Sequence, residues 1–121
     1  IDSSFMPLAP GKVLINPDYV DPKRLPAALR GWDVLVAPRP DPTPGWRARV
    51  SMSSAWISMN VLMLDERRVV VERSQSSMIR ALRDWGFEPI PCAFVNYAPF
   101  GGSFHCATLD VRRRGTLESY C

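Results

Sequence analysis

Cysteine and histidine are scarce in this chain, with three of the first and one of the second in 121 residues. Cys92, Cys106 and Cys121 stand far apart, with no CxxC pair and no Cys/His ligand spacing, so neither a disulfide framework nor a zinc site is expected. That usage suits a reducing compartment, and a cytoplasmic location is expected. Long apolar runs are missing as well. None approaches the ~20 residues that cross a bilayer, and nothing at the start reads as a signal peptide, so no membrane partner is expected. Charge of one sign is also weak: the formal net charge is +3, with basic residues scattered apart from Arg112 to Arg114. No nucleic-acid partner is expected on that balance. The chain opens on Ile1 rather than Met, and the expectation is that an N-terminal portion of the same protein is missing.

What is present is enough for one core. Apolar residues make up 46% of the chain, which argues for a globular domain rather than a disordered segment. Ile1 to Pro10 carries two prolines and reads as a loop or strand end. Lys12 to Asn16 is a continuous apolar run between Gly11 and Pro17, as in a strand buried on both faces. Asp21 followed by Pro22 predicts a helix start and Gly31 its end, with Pro26 keeping the helix short or distorted. Asp33 to Ala37 predicts a second buried strand. Four prolines between Pro38 and Trp46 read as an extended surface connection that serves as a spacer.

The second half repeats this order. The hydroxyl-rich Ser51 to Trp56 leads into Met59 to Leu64, and Asp65-Glu66-Arg67 predicts a hairpin turn with Arg68 to Glu72 returning. Met78, Ile79, Leu82 and Trp85 recur at helical spacing over Ser76 to Trp85, with Gly86 as terminator. Phe87 to Phe94 is strand-like but interrupted by Pro89 and Pro91. Ala28-Leu29-Arg30-Gly31-Trp32 and Ala81-Leu82-Arg83-Asp84-Trp85 each close a helical segment and lead into a strand. The fold class is therefore α/β, built from a repeated strand, helix, strand unit of which about two copies are present. Met59, Met63, Trp56 and Trp85 read as core packing.

The stretch from Gly101 to Gly115 carries the chemistry. Two glycines allow unusual backbone conformations and close approach, and alternation over the following residues predicts a strand. On it Cys106, Thr108 and Asp110 would share one face, while His105, Ala107, Leu109 and Val111 would share the other. Free cysteine is more often a buried packing residue than a nucleophile. A nucleophilic thiol needs partial exposure, a base or positive charge, and room for substrate, and Gly101 and Gly102 supply the room. His105, facing away, reads as a ring hydrogen-bonded in the core behind the site. Asp110 reads as an ion-pair partner of the nearby arginines, which themselves read as a solvated face. Cys92 and Cys121 carry no site pattern.

The segment from Gly102 to Tyr120, with Phe104-His105-Cys106-Ala107-Thr108-Leu109-Asp110-Val111-Arg112-Arg113-Arg114-Gly115 at its heart, resembles the C-terminal end of the L-arginine amidinotransferases. These include the glycine amidinotransferases and the inosamine-phosphate amidinotransferases. Ser53-Ser54 with Trp56 to Glu66, and Ile1 to Phe5, resemble the same family. The resemblance implies a pentein α/β propeller of ββαβ modules around a central site, with residues 1–121 as the C-terminal part of a single catalytic domain. It implies that a cysteine thiolate takes the amidino group from L-arginine, releases L-ornithine, and passes the group to an acceptor amine in a ping-pong sequence, with no cofactor and no metal.

By that resemblance Cys106 is the nucleophile, Asp2 and the pair Ser53 and Ser54 bind substrate, and the family's catalytic histidine falls one position before Ile1. Tyr19, after Asn16-Pro17-Asp18, stands where members often carry an arginine that contacts a substrate carboxylate, so the acceptor is not expected to be glycine. Expected partners are L-arginine, a small amine, the missing N-terminal portion and a second copy in a homodimer. Two alternatives stay open: a deiminase-like hydrolase on the fold that the resemblance implies, and a non-catalytic fragment.

Overall fold

Lys12–Ile15 forms β2, the central strand of the first sheet, and Val13, Leu14 and Ile15 have no exposed surface. Residues 3–43 and 54–112 are described in the computed structural model. Phe5–Ala9 is β1, antiparallel to β2 with Phe5 opposite Ile15, and Asp33–Val36 is β3, parallel to β2 with Val13 opposite Val34. The loop or strand end expected around Pro7 is thus a strand. Pro7 is tolerated because β1 lies at the sheet edge, and the register slips between Pro7 and Ala9. β3 lies at the other edge, and Val36 is 44% exposed, so the second strand is only partly covered rather than buried.

The predicted helix between β2 and β3 is replaced by two 3-10 turns, Pro22–Arg24 and Ala27–Leu29. Asp21 does cap the first, accepting from the Lys23 N–H at 2.9 Å. Pro26 lacks an N–H and stands between the two turns, which stops the first from propagating.

The second sheet repeats the plan. Leu62–Met63 (β4) runs antiparallel to Arg68–Glu72 (β5), which pairs in parallel with Glu88–Cys92 (β6). Asp65 closes the hairpin by accepting from the Arg67 and Arg68 N–H groups at 2.9 and 2.7 Å and from Arg68 Nε at 2.6 Å. Those donors, the Arg68 backbone first, hold its carboxyl down at about 2. β6 accommodates Pro89 and Pro91 because the Glu88 N–H donates to Arg67 and the Cys92 carbonyl accepts from Arg73. Residues 88 and 92 therefore face β5, and the two prolines turn their missing N–H toward the free edge. The crossover is the predicted helix, α1, at Ser76–Asp84, closed by Gly86 with φ 97°.

Both sheets share one core. Met78 and Leu82 of α1 pack with Val69, Val71 and Phe87, and the cluster continues through Trp56, Met59 and Met63 to Met6, Leu8 and Leu14. Trp56, Met59 and Met63 are core residues as expected, while Trp85 is only partly buried against the cluster. The echoed Trp85 also fastens the units together. Its Nε1 donates to Asp33 Oδ2 at 2.6 Å, and Lys12 Nζ reaches the same oxygen at 2.6 Å. Lys12 first, then Trp85, lowers the Asp33 carboxyl below its ordinary value.

The proline-rich connection is more than a spacer. Asp41 Oδ2 accepts from the Ser77 N–H at 2.6 Å and Oδ1 from the Ser77 hydroxyl at 2.9 Å, placing a carboxylate at the start of α1. Gln75, 1% exposed, exchanges bonds with the Asp41 backbone and donates to Thr43 Oγ1. No helix among the described residues is long and apolar enough to cross a membrane.

Candidate functional site

Cys106 does not lie on a strand. Residues 104–107 form a turn, closed by the Ala107 N–H on the Ser103 carbonyl at 2.9 Å and the Thr108 N–H on His105 at 3.2 Å. Thr108 Oγ1 donates back to the Phe104 carbonyl at 2.8 Å, a local side-chain bond that favours a turn over a ladder. Residues 104–107 are thus a turn rather than the start of the expected alternating strand. His105 is exposed on the turn rather than buried behind it. Asp110 lines a cleft of about 420 Å³ with His105 and Thr108.

The exposure expected of a reactive thiol is observed: Cys106 is exposed and in no disulfide. The turn that presents it is anchored from below by Phe104, 6% exposed, which stacks on Phe94 at 4.6 Å. The two glycines divide the work. Gly101 has φ 88°, which reverses the chain as it leaves the 3-10 turn Val95–Phe100. Gly102 is needed for space, since a Cβ on it would lie 2.5 Å from Cys106 Cβ and 3.2 Å from Sγ.

Asn60 holds the turn from across the molecule. It is 3% exposed. Its Oδ1 accepts from the Ser103 N–H at 3.0 Å and the Cys106 N–H at 3.1 Å, and its Nδ2 donates to Cys106 Sγ at 3.0 Å. A donor on sulfur favours the anionic form, which accepts hydrogen bonds more strongly than the thiol.

Of the other candidates, Asp2 and Ser53 lie outside the described residues, as does Cys121. Ser54 is half-buried, and its Oγ accepts from the Trp56 N–H at 3.1 Å at the start of the 3-10 turn Ile57–Met59. That turn ends at Asn60, so Ser54 and the Cys106 anchor occupy two ends of one short segment. Tyr19 is 68% exposed and lines a separate cleft of about 620 Å³ with Phe5, Asp21 and Arg24.

Two residues not singled out in the sequence fasten these segments together. Asn16, fully buried, donates from Nδ2 to the Ser3 carbonyl at 2.8 Å and accepts from the Asp18 N–H at 2.9 Å. Asp18 Oδ2 accepts from Trp56 Nε1 at 3.0 Å and Arg39 Nη1 at 2.7 Å. The residue after Asp2, the loop carrying Tyr19 and the stretch after Ser54 are joined in this way. The sequence does carry a signal for the amides: Asn16 closes an apolar strand and Asn60 interrupts Met59 and Val61. A buried amide in such company must find hydrogen-bond partners.

No family model matches the chain. Individual proteins match it from end to end. An L-arginine:L-lysine amidinotransferase of Pseudomonas savastanoi pv. phaseolicola is 57% identical over 99% of the chain. The chain is homologous to the amidinotransferases. The mitochondrial glycine amidinotransferase of Danio rerio is 42% identical over 99% of it. Among solved structures, SxtG, an amidinotransferase of Microseira wollei in the saxitoxin biosynthetic pathway, superposes with a TM-score of 0.93 at 60% identity over the whole chain. The inosamine-phosphate amidinotransferase StrB1 of Streptomyces griseus gives 0.89 at 40% identity over 98%. The chain spans about a third of the length of these relatives: 32% and 28% of the two sequences, 35% and 34% of the two structures. The resemblance read from the Gly102 to Tyr120 motif therefore holds along the full chain, and its homologues are transferases.

Proposed function

We propose that residues 1–121 are the C-terminal part of an amidinotransferase in which Cys106 carries the amidino group. The observation that supports this most is the exposed Cys106 thiol, held on a turn with an amide donor 3.0 Å from its sulfur. In this reading the thiolate attacks the guanidinium carbon of L-arginine. The bond from that carbon to Nε of the arginine breaks as the nitrogen takes a proton, L-ornithine leaves, and the amidino group stays on sulfur. The acceptor amine then attacks the same carbon, the carbon–sulfur bond breaks, and the thiolate returns. A guanidinium is stable and charged to high pH, so carboxylates must orient it and an acid must serve the leaving amine. Asp2, Ser53 and Ser54 are proposed to bind substrate. The histidine that serves as acid and base is assigned to the position before Ile1, in the remainder of the same polypeptide.

The two units of like topology are read as two of the ββαβ modules of a pentein propeller. The acceptor is proposed to be an amine other than glycine, because Tyr19 supplies a hydroxyl and no charge for a carboxylate. The relative at 57% identity is named for L-lysine rather than glycine. A reducing, cytoplasmic compartment suits the free thiols, and a homodimer is the proposed assembly.

The test uses the full-length protein with L-arginine and no acceptor. Stoichiometric ornithine and an amidino mass increment on the Cys106 peptide are expected, and both should vanish in Cys106→Ala. Citrulline in place of ornithine would move the assignment to a deiminase. Unchanged turnover in Cys106→Ala would end the nucleophile assignment.

A further inference from the structure

We propose that Asn60 is the positioning residue of the Cys106 thiolate, setting both the place of the sulfur and its ionic form through the two ends of one amide. The proposal rests on the assignment of Cys106 as nucleophile. The orientation of the amide follows from its partners. The Ser103 and Cys106 N–H groups can only donate, and both lie against the same side-chain end, at 3.0 and 3.1 Å, so that end is the oxygen. The other end is then the NH2 group, and it meets Sγ at 3.0 Å. A single side chain thus fixes the backbone on both sides of the turn and directs an N–H at the reacting atom.

The setting of Asn60 makes it a rigid holder. It follows Met59, which has no exposed surface, and precedes Val61, 1% exposed, at the end of the 3-10 turn that begins beside Ser54. An amide buried among such neighbours and separated by 43 and 46 positions from its partners is costly unless all three bonds form together. Gly102 completes the fit, because only a residue without Cβ lets the turn close over Cys106.

Asn60→Asp separates the two tasks. It keeps an oxygen for the two backbone N–H groups and replaces the donor on sulfur with a second oxygen of near-identical shape. In the full-length protein, the rate of iodoacetamide addition to Cys106, followed on its peptide by mass spectrometry, should fall at least about tenfold at pH 7. The midpoint of the rate–pH profile should move up by about one to two pH units, the scale set by losing a charge-assisted hydrogen bond. With L-arginine, kcat should fall while KM changes little. Among the described residues, titratable groups beside the turn are His105 on the turn itself, Asp110 in the cleft next to it and Tyr97 of Val95–Phe100, whose ring lies 3.8 Å from the Gly102 Cβ position; all are unchanged between variants.

A melting temperature close to that of the parent shows that the aspartate variant keeps the fold. If it melts below the assay temperature, Asn60→Ser, uncharged and too short to reach the sulfur, takes its place with the same readouts. Superimposable alkylation profiles in a folded variant would overturn the proposal. Absence of an amidino adduct in the parent protein would instead remove the transfer assignment, and the alkylation profiles would still decide the role of Asn60.

Discussion

Gly102→Ala is the sharpest perturbation the turn offers. Gly102 does not have positive φ, so alanine is not opposed by the backbone dihedral there, and the entire effect comes from space. The new methyl carbon would sit 2.5 Å from Cys106 Cβ. Ordinary contact begins at 3.4 Å, so one of the two must retreat by about 0.9 Å. A Cβ moves only with its backbone, hence no rotamer change relieves the overlap and the 103–106 turn itself must shift. That shift strains the three Asn60 bonds, and crowding of this kind destabilises by roughly 1–3 kcal/mol. Misplacing a reacting atom by ~1 Å can slow chemistry about 100-fold. The full-length Gly102→Ala protein should therefore stay folded, melt a few degrees lower, and form the Cys106 amidino adduct about 100-fold more slowly in single-turnover mass spectrometry. An adduct forming at the parental rate would refute the steric reasoning and the place given to Gly102.

Two further outcomes test the scaffold. Asp41→Ala removes both carboxylate bonds to Ser77 and the charge at the start of α1, and should destabilise the protein by about 1–2 kcal/mol in urea unfolding without changing the alkylation of Cys106. Asp65 has a carboxyl held at about 2 against an ordinary 3.8, so its stabilisation of the hairpin is complete above pH 3.8 and disappears as pH falls through 2. The Asp65→Asn protein should lose that part of the acid dependence of its melting temperature, and an identical acid limb in the two proteins would count against the assignment.

Much of the fold could be read from local pattern because the pattern and the packing agree. α1, β2, the hairpin at Asp65 and the glycine stops each follow from residues within a few positions of one another. The errors arose where a short-range rule met a longer-range constraint. Over 104–111 the alternation of apolar and polar residues suggested a strand, but no strand among the described residues pairs with it, and Thr108 and Asn60 close the backbone into a turn. Between β2 and β3, Asp21-Pro22 gave a valid cap, yet Pro26 allowed nothing longer than single turns. The spacer from Pro38 to Trp46, described as far as Thr43, read as passive because Gln75, the partner of Asp41, is 34 positions away.

The candidate site shows the same division more sharply. Cys106 could be named as the candidate nucleophile because the stretch around it carries the family resemblance, while a lone free cysteine would read as packing. For Asn16 and Asn60 the sequence shows that a buried amide needs partners but not which, and Asp18 carries no signal, because each acts at a distance: on Ser3, on the Ser103 to Cys106 turn and on Trp56. These three side chains join four segments with hydrogen bonds whose geometry is narrow. An apolar core alone would tolerate sliding of a segment at small cost, since hydrophobic burial is not directional. On the proposed chemistry, a thiolate that attacks a planar cation cannot tolerate it. The polar residues set inside apolar runs are therefore where precision enters this structure, and a lone amide between buried hydrophobic neighbours is the pattern by which further residues of this kind can be sought in a sequence.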